Sequence, residues 1–137
     1  NGMVWLTDVG HTRWEEINLV EPGANYGWPI YEAFECRIPS QCSTPQLRFP
    51  LHAYPHDETG GYVVVGGYVY RGAALPGLRG TFVYADGSDR VWALYFAPNG
   101  QPQPQFLEPT AGNSFPEIRQ AASAAECPRG RRTDESS

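Results

Sequence analysis

The sequence is poor in positive charge, in cysteine and in long apolar runs, and each shortage removes a class of function. Ten Lys and Arg stand against fifteen Asp and Glu, a formal net charge of -5 over 137 residues. Nucleic-acid binding therefore has no electrostatic support. The one basic cluster, Arg129-Gly130-Arg131-Arg132, has no aromatic neighbours and reads as a solvated polar end. No run of about 18 apolar residues occurs, so no segment is suited to cross a membrane as a helix. A P-loop and a dinucleotide fingerprint are also missing, and Gly27 and the Gly66-Gly67 pair read as points of close backbone approach. Hydrophobic residues make up 41%, with 15 Gly and 13 Pro. That balance predicts an all-β chain of short strands and many turns, sized for one modest domain.

Only three cysteines are present. Cys36 and Cys42 bound a short loop whose Pro39 and Ser40 favour a tight turn. A local disulfide fits that spacing and would imply an oxidising compartment; two reduced thiols fit it as well. A zinc pair is disfavoured, because no second Cys or His pair follows at the usual spacing. Cys127 is left over. The chain opens on Asn1-Gly2 and passes directly into the apolar Met3-Val4-Trp5-Leu6, with no signal segment. This leads to the expectation of an excised or incomplete chain.

Strand patterns are expected at 3–8 and 14–20, joined as a hairpin and ended by Pro22-Gly23. Residues 21–60 read as loop. Strong β pattern returns at 62–70, 81–86 and 90–96, and Asn99-Gly100 is a hairpin turn from which 104–107 begins a returning strand. Both faces of these runs carry apolar residues, as strands packed on two sides require. Short antiparallel strands from 62 to about 108 make one propeller blade, which cannot bury both faces without neighbours. Residues 1–110 are thus expected to form the folded part, and 111–137 an irregular or disordered tail.

The acids and amides sit between strands. In a strand, Glu15 and Glu16 point to opposite faces and cannot address one ligand from the same side. His11 lies in a turn near Asp8, with nothing in the sequence to orient it as a base. His52 and His56 are separated by a Pro-containing loop pattern and lack the Glu of a metalloprotease pair. Trp14, Trp28 and Trp92 read as packing residues between blades.

In order, Asp8-Val9-Gly10, Trp14 to Asn18, Asn25 to Pro29, the Cys36–Cys42 loop, Gly66 to Gly72, Tyr84 to Asp86 and Arg90 to Trp92 resemble the soluble glucose/sorbosone dehydrogenase family. That family includes quinoprotein aldose sugar dehydrogenases, and the ectodomains of Hedgehog-interacting proteins are similar. The resemblance covers roughly residues 2–100. It implies about two blades of a six-bladed β-propeller, from a periplasmic or extracellular protein. In enzymatic members an aldose is oxidised at C1 by hydride transfer to pyrroloquinoline quinone beside calcium; the non-catalytic alternative is a module that binds a protein ligand.

The resemblance also aligns residues with roles. Val9, Gly10 and His11 fall where backbone carbonyls hold the cofactor-side calcium, and Glu15 falls where an acid approaches the quinone. Glu16 and Tyr26 fall at a structural calcium site, whose hard cation favours oxygen ligands. His56 stands where relatives carry a histidine at the axial mouth. Asp86 and Ser88 lie near a loop that supplies a cofactor-contacting lysine in some relatives, but no lysine stands there. The catalytic histidine belongs to sequence upstream, so no residue here is assigned as the base and the chain alone is expected to be inactive.

Overall fold

The computed structural model describes residues 2–43 and 46–107. The tail expected over 111–137, with Cys127, lies outside the described residues. Among the described residues nine strands form in chain order: β1 (Val4–Asp8), β2 (Trp14–Val20), β3 (Tyr31–Glu32), β4 (Glu35–Cys36), β5 (His52–Pro55), β6 (Val64–Val69), β7 (Phe82–Asp86), β8 (Arg90–Phe96) and β9 (Pro102–Phe106). They build a three-stranded sheet β1-β2-β5, a small hairpin β3-β4, and a four-stranded meander β6-β7-β8-β9. Every strand pair is antiparallel. No α-helix occurs among the described residues; two 3₁₀ turns, at Pro39–Gln41 and Pro76–Leu78, begin at a proline.

The β1–β2 hairpin runs in continuous register from Val4 opposite Val20 to Asp8 opposite Glu16. In β6 the register shifts between Val64 and Gly67, a bulge in the strand. Glycine is required there on two counts. Gly66 sits at φ +74°, and a Cβ on Gly67 would lie 2.1 Å from the Val83 carbonyl oxygen.

One strand escapes sequence pattern. β5 lies inside the stretch expected to be loop, and the reason is its brevity: four residues ending in Pro55 show no measurable alternation. A proline is tolerated because β5 is an edge strand whose last residue needs no ladder donor. Its partner β2 supplies the order, with Glu15 opposite Tyr54 and Ile17 opposite His52.

The core lies between the two larger sheets. Ile17 and Tyr54 face Val64, Phe82, Tyr84 and Leu94, all buried. Trp5 of β1 stacks on Phe82 of β7 with ring centroids 4.4 Å apart and planes within 8°. Trp5 is thus the stacked indole between sheets, whereas Trp28 sits in a turn, 56% exposed, beneath the Arg37 guanidinium at 4.6 Å. The other face of the meander carries a second cluster of Leu78, Ala93, Tyr95 and Leu107, where burial pushes the Tyr95 hydroxyl up to about 12. Both faces of the meander are therefore apolar, as a blade between neighbours requires.

Truncating Phe82 removes the ring that both sheets share. Phe82→Ala is expected to cost about 3–5 kcal/mol in urea denaturation; a loss under about 1 kcal/mol would show that the intersheet core contributes little.

Candidate functional site

The loop between β1 and β2 is built by a carboxylate from outside it. Glu32, buried on β3, accepts hydrogen bonds at Oε1 from the backbone N–H groups of Thr12 (2.9 Å), Arg13 (2.8 Å) and Trp14 (3.2 Å). Its Oε2 pairs with Arg37 Nε at 3.3 Å, and Arg13 also pairs with Glu35. Burial pushes the Glu32 carboxyl upward, but the three amides and the Arg37 charge reverse this and hold it below the usual range. Gly10 completes the turn, since a Cβ there would lie 1.8 Å from the Trp14 carbonyl oxygen. Val9 is left exposed beside it. The His11 ring lies 5.7 Å from the Trp28 ring.

Adjacent acids on β2 diverge as strand geometry demands. Glu15 points toward the meander: its Oε1 meets His56 Nδ1 at 2.6 Å and its Oε2 accepts from Val64 N–H at 2.8 Å. Glu16 points toward the β3–β4 hairpin, accepting from Ala33 N–H at 2.6 Å and from Asn18 Nδ2 at 3.3 Å. Neither faces solvent; both are buried, as is Asn18. Burial raises the Glu16 carboxyl above its ordinary range despite these two bonds, and the Asp8 and Glu32 charges add to the rise.

The positions suggested by resemblance therefore separate. Val9, Gly10 and His11 share one loop with an open rim. Glu15 is committed to His56 and Val64, which leaves no oxygen directed at a cofactor. Tyr26 donates its hydroxyl to the Leu19 carbonyl and accepts from Glu21 N–H, each at 2.8 Å, so its bonds do not meet those of Glu16. A hard cation finds a partial fit: the Glu16 carboxylate stands beside Asn18, whose buried Oδ1 has no partner. Among the described residues no group of three or more His, Cys, Asp or Glu is arranged to hold a metal. Cys36 and Cys42 are joined in a disulfide with Cα atoms 5.7 Å apart, bracketing the hairpin's far end.

Sequence reasoning missed two structural acids. Glu32 gave no signal, because its partners come from a loop about twenty residues earlier. Asp86 was visible as a motif residue, yet its role was not. Its carboxylate accepts from the Tyr54 hydroxyl at 2.9 Å, from Tyr62 and Val63 N–H at 3.1 Å each, and from Ser88 N–H at 2.8 Å. Burial works against its ionisation, and hydrogen bonds from Ser88, Tyr62 and Tyr54 outweigh that and lower it.

A family model described as Glucose / Sorbosone dehydrogenase matches residues 1–101. The HIPL2 and HIPL1 proteins of Arabidopsis thaliana are 35% and 36% identical over 102 and 98 residues, covering 66% and 63% of the chain. The chain spans only 15% and 14% of their lengths. Among solved structures, the PQQ-bound form of aldose sugar dehydrogenase from Streptomyces coelicolor matches with a TM-score of 0.50 at 20% identity, over 77% of this chain and 27% of that one. At that identity the likeness shows the fold: an all-β chain of about two β-propeller blades.

The lowered Glu32 and Asp86 carboxyls set the acid response. Above the ordinary carboxylate range both are ionised folded and unfolded, so their contribution is complete. As pH falls below about 4 the unfolded chain takes up protons first, and the contribution is lost through the lowered folded values; Glu16, shifted the other way, offsets part of this. Glu32→Gln is expected to be about 1.5–3 kcal/mol less stable at pH 7, with a smaller deficit at pH 3. Denaturation at the two pH values checks this, and an equal deficit at both would remove the charge from the explanation.

Proposed function

The chain belongs to the glucose/sorbosone dehydrogenase family, and from that membership we propose that it supplies neighbouring blades of a sugar-oxidising quinoprotein and is inactive alone. The match over residues 1–101 carries the reading, and the fold shared with a PQQ-bound aldose sugar dehydrogenase supports it. The blade-forming part falls within residues 1–110. In the proposed reaction an aldose is oxidised at C1, and pyrroloquinoline quinone when bound supplies the hydride acceptor.

This chain's own side chains fit contact with the quinone poorly. Glu15 is buried and consumed by His56 and Val64. His11 lies beside Trp28, and among the described residues no carboxylate hydrogen-bonds its ring to orient it as a base. No catalytic step is therefore assigned here. What the β1–β2 loop offers is a rim: the backbone of Val9, Gly10 and His11, fixed from behind by Glu32. Calcium, in the same reading, is held at Glu16, and the Asn18 Oδ1 adds a neutral oxygen of the kind a hard cation accepts; the Tyr26 hydroxyl, its other candidate ligand, is bonded to Leu19 and Glu21.

One observation favours a second reading. Identity to the HIPL proteins, 35% and 36%, exceeds the 20% to the dehydrogenase structure. The alternative is a non-catalytic extracellular propeller that binds a protein ligand, as in Hedgehog-interacting relatives. Under either reading the Cys36–Cys42 bridge supports a periplasmic or extracellular setting.

The purified 137-residue chain, given quinone, calcium, an aldose panel and a redox dye, is expected to show no turnover; a measurable rate would overturn the assignment of the chemistry to other parts of the protein. The same assay on the complete protein decides between the readings, since no turnover on any aldose favours the binding module. Calcium at about a hundredfold excess over its Kd is expected to stabilise the chain by about 2.7 kcal/mol, and Glu16→Gln to abolish that gain. A melting temperature indifferent to calcium in the wild type would remove the metal from this site.

A further inference from the structure

The β3–β4 hairpin is too short to hold itself. Only two residue pairs join its strands, Tyr31 with Cys36 and Glu32 with Glu35, and an isolated two-stranded hairpin is marginal in water. The Cys36–Cys42 bridge closes its end covalently. Tyr31, paired with Cys36 across the hairpin, donates its hydroxyl to the Cys42 carbonyl, so both cysteines are tied to β3. The two cysteines are half-buried, and the turn between them, Pro39-Ser40-Gln41, is exposed.

Arg37 is the first residue inside the closed loop. Its N–H lengthens the hairpin by donating to the Ile30 carbonyl at 2.7 Å. Its guanidinium donates to the Pro29 carbonyl at 3.2 Å, lies over the Trp28 ring and pairs with Glu32 Oε2. The other oxygen of Glu32 takes the amides of Thr12, Arg13 and Trp14. Two side chains, Arg37 and Glu32, therefore connect the bridged loop to the β1–β2 loop. A cross-link removes conformations from the open form of the segment it closes, and reduction returns them. Once the hairpin end frays, Arg37 leaves Glu32, and the carboxylate loses both its counter-charge and its fixed place beneath the three amides.

We propose that the Cys36–Cys42 bridge is a thiol-controlled latch on the β1–β2 loop: oxidised, it holds Arg37 and Glu32 behind the rim of Val9, Gly10 and His11; reduced, it lets that loop open. The opening step is thiol–disulfide exchange with a dithiol reductant. One thiolate of the reductant attacks a bridge sulfur, the S–S bond breaks to give a mixed disulfide, and the second thiolate resolves it. Two electrons and two protons pass to the protein, leaving two cysteine thiols, while the reductant closes into its own disulfide. The rim is then fully shaped only where thiols are oxidised. Its importance as regulation rests on the reading that this rim borders a ligand site; the coupling itself does not.

Amide hydrogen exchange of the 137-residue chain, oxidised and after reduction with dithiothreitol, followed by ¹H–¹⁵N spectra, measures the coupling. Reduction is expected to speed exchange at Thr12, Arg13 and Trp14 on the order of tenfold, while Tyr84 and Leu94 in the meander change by less than about twofold. Cys36→Ser combined with Cys42→Ser is expected to show the reduced pattern without reductant and no further response to it. Arg37→Gln is expected to speed the same three amides with the bridge intact. Equal exchange in the two redox states, acceleration spread evenly over the loop and the meander, or loop amides indifferent to Arg37→Gln would each overturn the proposal. No sugar, quinone or calcium enters the measurement, so failure of the latch and failure of the sugar-oxidising reading in the turnover assay are read separately.

Discussion

A carboxylate with no access to water joins the two larger sheets. Glu15 on β2 takes the Val64 amide of β6 on one oxygen and the His56 ring on the other. A buried charge is strongly destabilising unless its oxygens are met by donors at good geometry. The sheets can therefore approach in one arrangement and not in others of similar hydrophobic area. The apolar contacts of Trp5, Ile17, Phe82 and Leu94 drive the approach; the Glu15 bonds select the register in which it ends.

The same device recurs at the other turns. Glu32 gathers three successive amides of the β1–β2 loop. Asp86 gathers amides from the segment before β6 and from the turn after β7, together with the Tyr54 hydroxyl of the first sheet. A chain with many glycines and prolines leaves loop amides without ladder partners. Buried carboxylates supply the acceptors, which is why several of the fifteen acids lie inside a small β structure.

These assignments narrow where chemistry can reside. Glu15, Glu32 and Asp86 are structural here, because both oxygens of each are committed to groups from other segments. What is left is the exposed rim around Val9 and His11 and the unpartnered Asn18 oxygen beside Glu16. The chain belongs to the glucose/sorbosone dehydrogenase family, and its buried acids hold the strands and loops in shape.

Much of this was legible in local sequence. The β1–β2 hairpin, the meander's strands, the turn at Asn99-Gly100 and the opposite facing of Glu15 and Glu16 follow from two-residue periodicity and turn chemistry, which depend only on neighbours along the chain. Cysteine spacing left the Cys36–Cys42 bridge open, and the fold closed it. β5 could not be read, because four residues ending in proline become a strand only when β2 lends them a ladder. The partners of Glu15, Glu32 and Asp86 were equally hidden: hydrogen bonding acts at about 3 Å in space, and packing alone brings residues 18 to 49 positions apart to that distance.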